Sequence, residues 1–101
     1  MIMLYSRQQT FEEFRLDENV FVPTVLRIGP YRFYFYSHEP NEPRHVHVDR
    51  DELSAKFWLE PVGLALNFGF SAVELRRVQS VVEYNQARFI EAWNGHFGVE
   101  G

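Results

Sequence analysis

A chain of 101 residues that is 46% hydrophobic and 17% aromatic has the apolar mass for one core and too little length for two ordinary domains. Its net charge of -4 at pH 7 argues against a generally basic, non-specific nucleic-acid binder, because such binding depends on cations displacing counterions from phosphate. Cysteine is absent, which excludes a disulfide framework and thiolate metal ligation, and Met1 to Arg7 carries neither a signal-peptide pattern nor a membrane span, so a cytoplasmic protein without a membrane partner is expected.

Residues 1–22 are polar, glutamate-bearing and short of a regular pattern, and read as an N-terminal extension. Thr10 followed by Glu13 fits a capping box that opens one helical turn carrying Phe11 and Phe14. From residue 23 to 98 the pattern is that of a single domain. Thr24 to Ile28 and Tyr31 to Ser37 are rich in β-branched and aromatic residues, and Gly29-Pro30 between them suits a two-residue type II′ hairpin turn. Alternation along the second strand puts Tyr31, Phe33 and Phe35 on one face and Arg32, Tyr34 and Tyr36 on the other.

The stretch His38 to Arg44 holds two prolines and reads as a loop, leading into a strand from Arg44 to Asp49. A charged connection, Asp49 to Glu52, follows it. Ser54 to Glu60 then alternates Ala55, Phe57 and Leu59 against Lys56, Trp58 and Glu60, so a second hairpin is expected. Pro61-Val62-Gly63 breaks that strand, and Leu64 to Phe68 is expected as an edge strand. Asn67 before Phe68-Gly69 is a turn residue. Ser71 and Glu74 form a capping box for one long helix from Ala72 to about His96. Leu75, Val78, Val82, Phe89, Trp93 and Phe97 make its apolar stripe, and Gly95 and Gly98 lie where a left-handed C-terminal cap belongs. The fold class is therefore α+β: a small, mainly antiparallel sheet of four to five strands, one face packed against one long C-terminal helix.

Chemistry concentrates at Pro43-Arg44-His45-Val46-His47-Val48. Two histidines two residues apart on a strand share a face, about 7 Å apart at Cα, and can supply two imidazoles to one metal ion. A third ligand would come from His38, Asp49, Glu60 or His96, none at a spacing that fixes it. No cofactor is expected, with a divalent transition metal at His45 and His47 left as the minor reading. The competing reading gathers Arg32, Tyr34, Tyr36, Arg44, His45, His47, Lys56, Trp58 and Glu60, with Asn85 from the helix, into a binding surface, since aromatics beside arginine anchor protein partners or stack on unpaired bases. Arginine supplies nine of the ten cations and Lys56 the tenth, a choice that favours bidentate bonding and stacking. Ten Phe, five Tyr and two Trp are more than so small a core can hide, and a protein partner or a second copy is expected to cover some of them. Asn85 interrupts the apolar helical stripe, so its amide is expected to bond a strand-end backbone, a loop or a histidine. No Gly-rich phosphate loop, Ser-centred elbow or paired carboxylates in an apolar setting occurs, which leaves His45 and His47 as the sole candidates for catalysis.

Four motifs occur in order: residues 23–37, residues 42–48, Ala55-Lys-Phe-Trp-Leu-Glu-Pro61, and Asn67-Phe-Gly-Phe-Ser71 ahead of Glu74-Leu-Arg-Arg77. Over residues 23–97 the chain resembles the bacterial domain-of-unknown-function 4160 family. The resemblance implies a small prokaryotic cytoplasmic protein of toxin-antitoxin-like gene pairs, partnered by a small protein encoded nearby. Its pattern falls on His45 and His47, on Lys56 to Glu60, and on Asn85. Many members carry Pro-Pro before the first histidine, where this chain has Pro43-Arg44. The added cation discourages a metal and suits an anionic partner. Two functions follow as expectations: an interaction module, or a histidine- or metal-dependent enzyme on nucleic acid with Arg44 or Lys56 holding phosphate.

Overall fold

Five strands in the order β1-β2-β3-β4-β5, every pair antiparallel, form one sheet in the computed structural model, which describes residues 24–36 and 41–98. The expected extension with its Thr10–Glu13 capping box lies outside the described residues, as does His38. Strands β1 (Thr24–Ile28) and β2 (Tyr31–Tyr34) are joined at Gly29-Pro30, with Ile28 opposite Tyr31. Gly29 takes a φ of 55°, the conformation a type II′ turn demands at its first central position, and proline sets the second. Strand β3 (His45–Arg50) turns through Asp51-Glu52 into β4 (Leu53–Leu59), and β4 turns through Glu60-Pro61 into β5 (Val62–Phe68). Thus β5 begins at Val62, two residues earlier than the apolar run suggests, because the break falls on Glu60-Pro61 alone. It is an edge strand, as expected.

The expected single helix is two: α1 (Ala72–Tyr84) and α2 (Gln86–Phe97). Asn85 is the interruption, with φ −105° and ψ 16°. Its side-chain Nδ2 donates to the Val81 carbonyl at 2.8 Å, the acceptor its own backbone N–H also uses. An asparagine amide that competes in this way for a helical carbonyl loosens the ladder locally. The i to i−4 pattern resumes at once, Phe89 N donating to Asn85 O at 2.9 Å, so the apolar stripe stays in phase across the break. The bond to a strand end expected of Asn85 is made instead by its neighbour, Gln86 Nε2 donating to Leu59 O at 2.6 Å.

At its start α1 realises half of the capping box. Ser71 Oγ accepts from Glu74 N at 3.1 Å, but the Glu74 carboxylate turns to the sheet, taking 2.6 and 2.8 Å bonds from Arg50 and 2.6 Å from the Tyr31 hydroxyl. At its end α2 is capped by Gly98, φ 71°, while Gly95 stays inside the helix. Between β5 and α1, Asn67 clamps the turn by bonding both N and O of Phe70. Gly69 there has φ 106°, a backbone conformation that favours glycine, and a Cβ would also require the end of the Leu53 side chain to move.

The core lies between the helices and one sheet face. Phe33, Val46, Val48, Ala55, Phe57 and Leu59 from the strands meet Val78, Val82, Phe89 and Trp93 from the helices. The rings of Phe33 and Phe89 stand 5.3 Å apart, and those of Phe35 and Trp93 meet edge to face at 5.4 Å. Phe89 is fully buried against Phe33 of β2, and Phe89→Ala is expected to cost about 3–5 kcal/mol in urea unfolding. The carboxyl of Glu74 is held down at about 2, first by its bond from Arg50 and then by Tyr31. A depressed carboxyl stabilises the fold above its unfolded value of about 4.3, and that contribution disappears as pH falls toward 2. Glu74→Gln is therefore expected to lower the melting temperature at neutral pH and to flatten its decline between about pH 4 and 2, as read by circular dichroism.

Candidate functional site

Because side chains alternate, the same register that sends Val46, Val48, Ala55 and Phe57 into the core sends their neighbours to the second face of the sheet. Tyr34 lies opposite His47, His47 opposite Lys56, and His45 opposite Trp58. The Tyr34 and His47 rings stack, 5.3 Å apart and 19° from parallel. Tyr36 meets His47 edge on at 4.7 Å, and His45 meets His47 at 5.1 Å and 88°. The Arg32 guanidinium sits 4.5 Å over Tyr34, and the Lys56 ammonium 4.9 Å over Trp58, both in cation–π range. Arg32, Tyr34, Tyr36, His45, His47, Lys56 and Trp58 thus form one ladder of rings and cations across β2, β3 and β4.

The polar atoms of this ladder are partnered. The Tyr34 hydroxyl donates to Asp49 Oδ1 at 2.9 Å. Burial, and then the nearby Asp49 carboxylate, hold the Tyr34 phenol far above its usual range, so it is a neutral donor. Burial likewise pushes the Asp49 carboxyl up, opposed by the Tyr34 bond and by Arg32. Lys56 is bound by Glu42. The His45 ring nitrogen Nδ1 lies 2.8 Å from Pro43 O, and since a carbonyl only accepts, Nδ1 carries the hydrogen. His45 is 0% exposed, its ring 4.9 Å from that of Trp93. Tyr34 and Lys56 are also buried, at 5% and 7% exposure, while Arg32, Tyr36, His47 and Trp58 are half-buried.

At the end of the sheet a groove of about 420 Å³ opens beside Trp58, walled by Pro43, Arg44, Glu60, Pro61, Val62 and Gly63. Arg44 spans it, donating to Asn94 Oδ1 on α2 at 2.8 Å and pairing with Glu60 at 3.2 Å. Nine of the ten residues expected at the site are therefore brought to this face or its rim. Asn85 sits in the helix layer and is not among them. Three neighbours escaped the sequence reading as parts of the ladder or its tie to the helices: Asp49, Glu42 and Asn94. Asp49 continues the period-two series of His45 and His47 and was legible there. Glu42 and Asn94 arrive from a loop and a helix, and no spacing announces them. Among the described residues no group of three His, Asp or Glu side chains could hold a metal ion, and no helix is long and apolar enough to cross a membrane.

The residues of this face and most of the helix layer fall within a stretch, 31–94, that matches the family described as Domain of unknown function (DUF4160). The chain belongs to that family. Comparison of this DUF4160 domain with curated proteins and with solved structures finds no match. Matched from Tyr31 to Asn94, the family stretch takes in β2 to β5, α1 and most of α2, and so includes the ladder, the Trp58 groove and the core that supports both.

The raised Asp49 carboxyl makes a prediction about the ladder. A carboxyl whose folded value is raised leaves the fold most stable when it is protonated, and that stability fades as pH rises through the folded value. Asp49→Asn keeps an acceptor for Tyr34 without the buried charge. The variant is expected to gain on the wild type in thermal melts at pH 7, and its lead is expected to shrink as pH falls toward 4.

Proposed function

We propose that this DUF4160 domain is a protein–protein interaction module, one half of a toxin-antitoxin-like pair in a prokaryotic cytoplasm, which grips a small partner encoded nearby through the second sheet face. The observation that supports this reading is the groove beside Trp58, an apolar socket next to a half-buried tryptophan and rimmed by paired charges. Interface energy concentrates in tryptophan, tyrosine and arginine held in such settings, with near-neutral contacts around them to exclude water. Trp58, Tyr36, His47 and Arg32 supply that composition, and contacts of Tyr36 with His47, Arg32 with Tyr34, and Trp58 with His45 hold them in place before a partner arrives.

The same geometry weighs against His45 as a catalytic group on nucleic acid. A general acid or base must come within hydrogen-bond reach of its substrate, and His45 is fully buried against Trp93. Arg44 and Lys56, the cations that would hold phosphate, are engaged by Glu60 and Glu42.

The test is co-purification of the tagged domain with the product of its neighbouring gene. Changing Trp58 and His47 together to alanine is expected to abolish the complex while the domain's circular dichroism and melting profile stay those of a folded protein. A pull-down unchanged by the double substitution would overturn the reading.

A further inference from the structure

The helix layer turns an outer face to solvent. Val73, Arg76, Arg77, Ser80 and Tyr84 of α1 and Arg88 of α2 recur at helical spacing on the side opposite Val78, Val82 and Phe89, and all six are exposed. Tyr84 is 90% exposed. The chain has fourteen acidic side chains against ten basic ones, yet among the described residues no carboxylate forms an ion pair with Arg76, Arg77 or Arg88. The nearby acids are committed elsewhere. Glu74 gives its carboxylate to Arg50 and the Tyr31 hydroxyl, and Glu83 accepts a 3.2 Å bond from Gln79 on the flank of the helix. Helix stability does not explain where these arginines stand. A helix gains from cations in its last turn, where α1 has none, and Arg76 and Arg77 hold its fifth and sixth positions.

Guanidinium groups thus bracket an exposed tyrosine, Arg77 and Arg88 standing about 16 Å apart along the helix axis. The arginine fork takes a carboxylate bidentately, and a tyrosine ring offers broad apolar contact for little lost freedom. A short acidic segment of a protein, with carboxylates at both ends and an apolar side chain between them, complements such a stripe. Single-stranded nucleic acid is ordinarily held in a basic groove that follows its backbone. This face is instead the outside of a helix, on a chain of net charge -4 whose field repels a long polyanion. We propose that the outer face of α1, with Arg88, docks an acidic peptide segment of a protein partner, Arg76 and Arg77 holding one cluster of carboxylates, Arg88 a second, and Tyr84 the apolar side chain between them. The face lies on the far side of the helices from Tyr36 and His47 and is independent of the surface they form.

Fluorescence anisotropy on the full chain tests this. The probe is a labelled helical peptide with two pairs of glutamates three helical turns apart and leucine between them. A counterpart carries glutamine at the glutamate positions, and a labelled oligothymidylate represents nucleic acid. The wild type is expected to bind the acidic peptide and to hold the glutamine counterpart about tenfold more weakly. Changing Arg76→Glu and Arg88→Glu together is expected to weaken acidic-peptide binding by about tenfold or more, and Tyr84→Ala to weaken it several-fold. All three positions are exposed, so these variants are expected to keep the wild-type circular dichroism and melting profile. Should the charge reversal unfold the chain, Arg88→Gln and Tyr84→Ala read the same face, and wild-type affinity in both would overturn the proposal. Equal affinity of the wild type for the two peptides, tighter binding of the oligothymidylate, or a folded charge-reversal variant with wild-type affinity would overturn it as well. So would a wild-type dimer in light scattering that dissociates on the charge reversal, because the face would then belong to a second copy.

Discussion

The structure depends on how a sheet with helices on one side only shields its other side. Phe33, Val46, Val48 and Phe57 are fully buried beneath α1 and α2. Their alternate neighbours lie on the face without helices, yet Tyr34 and Lys56 are buried there, and His45, at the start of β3, is buried with its ring against Trp93 of α2. Long side chains lie across one another there: arginine over tyrosine, tyrosine over histidine, lysine over tryptophan. Such an arrangement is stable only where each polar tip has a partner, because an unpaired buried donor forfeits its bonds to water. Tyr34 has Asp49, Lys56 has Glu42, and His45 has the Pro43 carbonyl.

This self-shielding recasts the histidine pair. In isolation, His-x-His on a strand suggests ligands or an acid–base couple. Within the ladder the imidazoles serve by their faces and edges, His47 between Tyr34 and Tyr36, His45 between Trp58 and Trp93. Rings wedged in this way are fixed in orientation by their aromatic neighbours. The cations follow the same logic, for each nearby carboxylate lowers the charge the face shows to solvent.

Much of the fold was legible because alternation and turn chemistry are local. Tyr31 to Tyr36 and His45 to Val48 announce both faces of β2 and β3, Gly29-Pro30 announces the hairpin, and Ser71 announces α1. The interruption at Asn85 was not legible from the stripe: Val82, Phe89 and Trp93 keep their spacing through it, and periodicity is blind to one amide's choice of acceptor. The depth of burial on the second face escaped for a different reason. Whether Tyr34 stacks on His47 or on a residue two places away depends on the register of β2 against β3, and those strands are joined through residues 35–44 rather than by a two-residue turn, while Glu42 reaches Lys56 from that same connection.

Ties at both ends of β3 hold the helix layer against the sheet. At its C-terminal end Arg50, with Tyr31 of β2, seizes Glu74 of α1; before its N-terminal end Arg44 holds Asn94, while Gln86 holds the Leu59 carbonyl. With the core between them, these ties leave the central strands little freedom to slide or twist, and the ladder inherits that rigidity. Ordering a rotamer-rich side chain on binding costs about 0.5–1.5 kcal/mol. For Arg32, Tyr36, His47 and Trp58 much of that ordering has been met in folding, so a partner seated on this face would retain more of its contact energy as affinity.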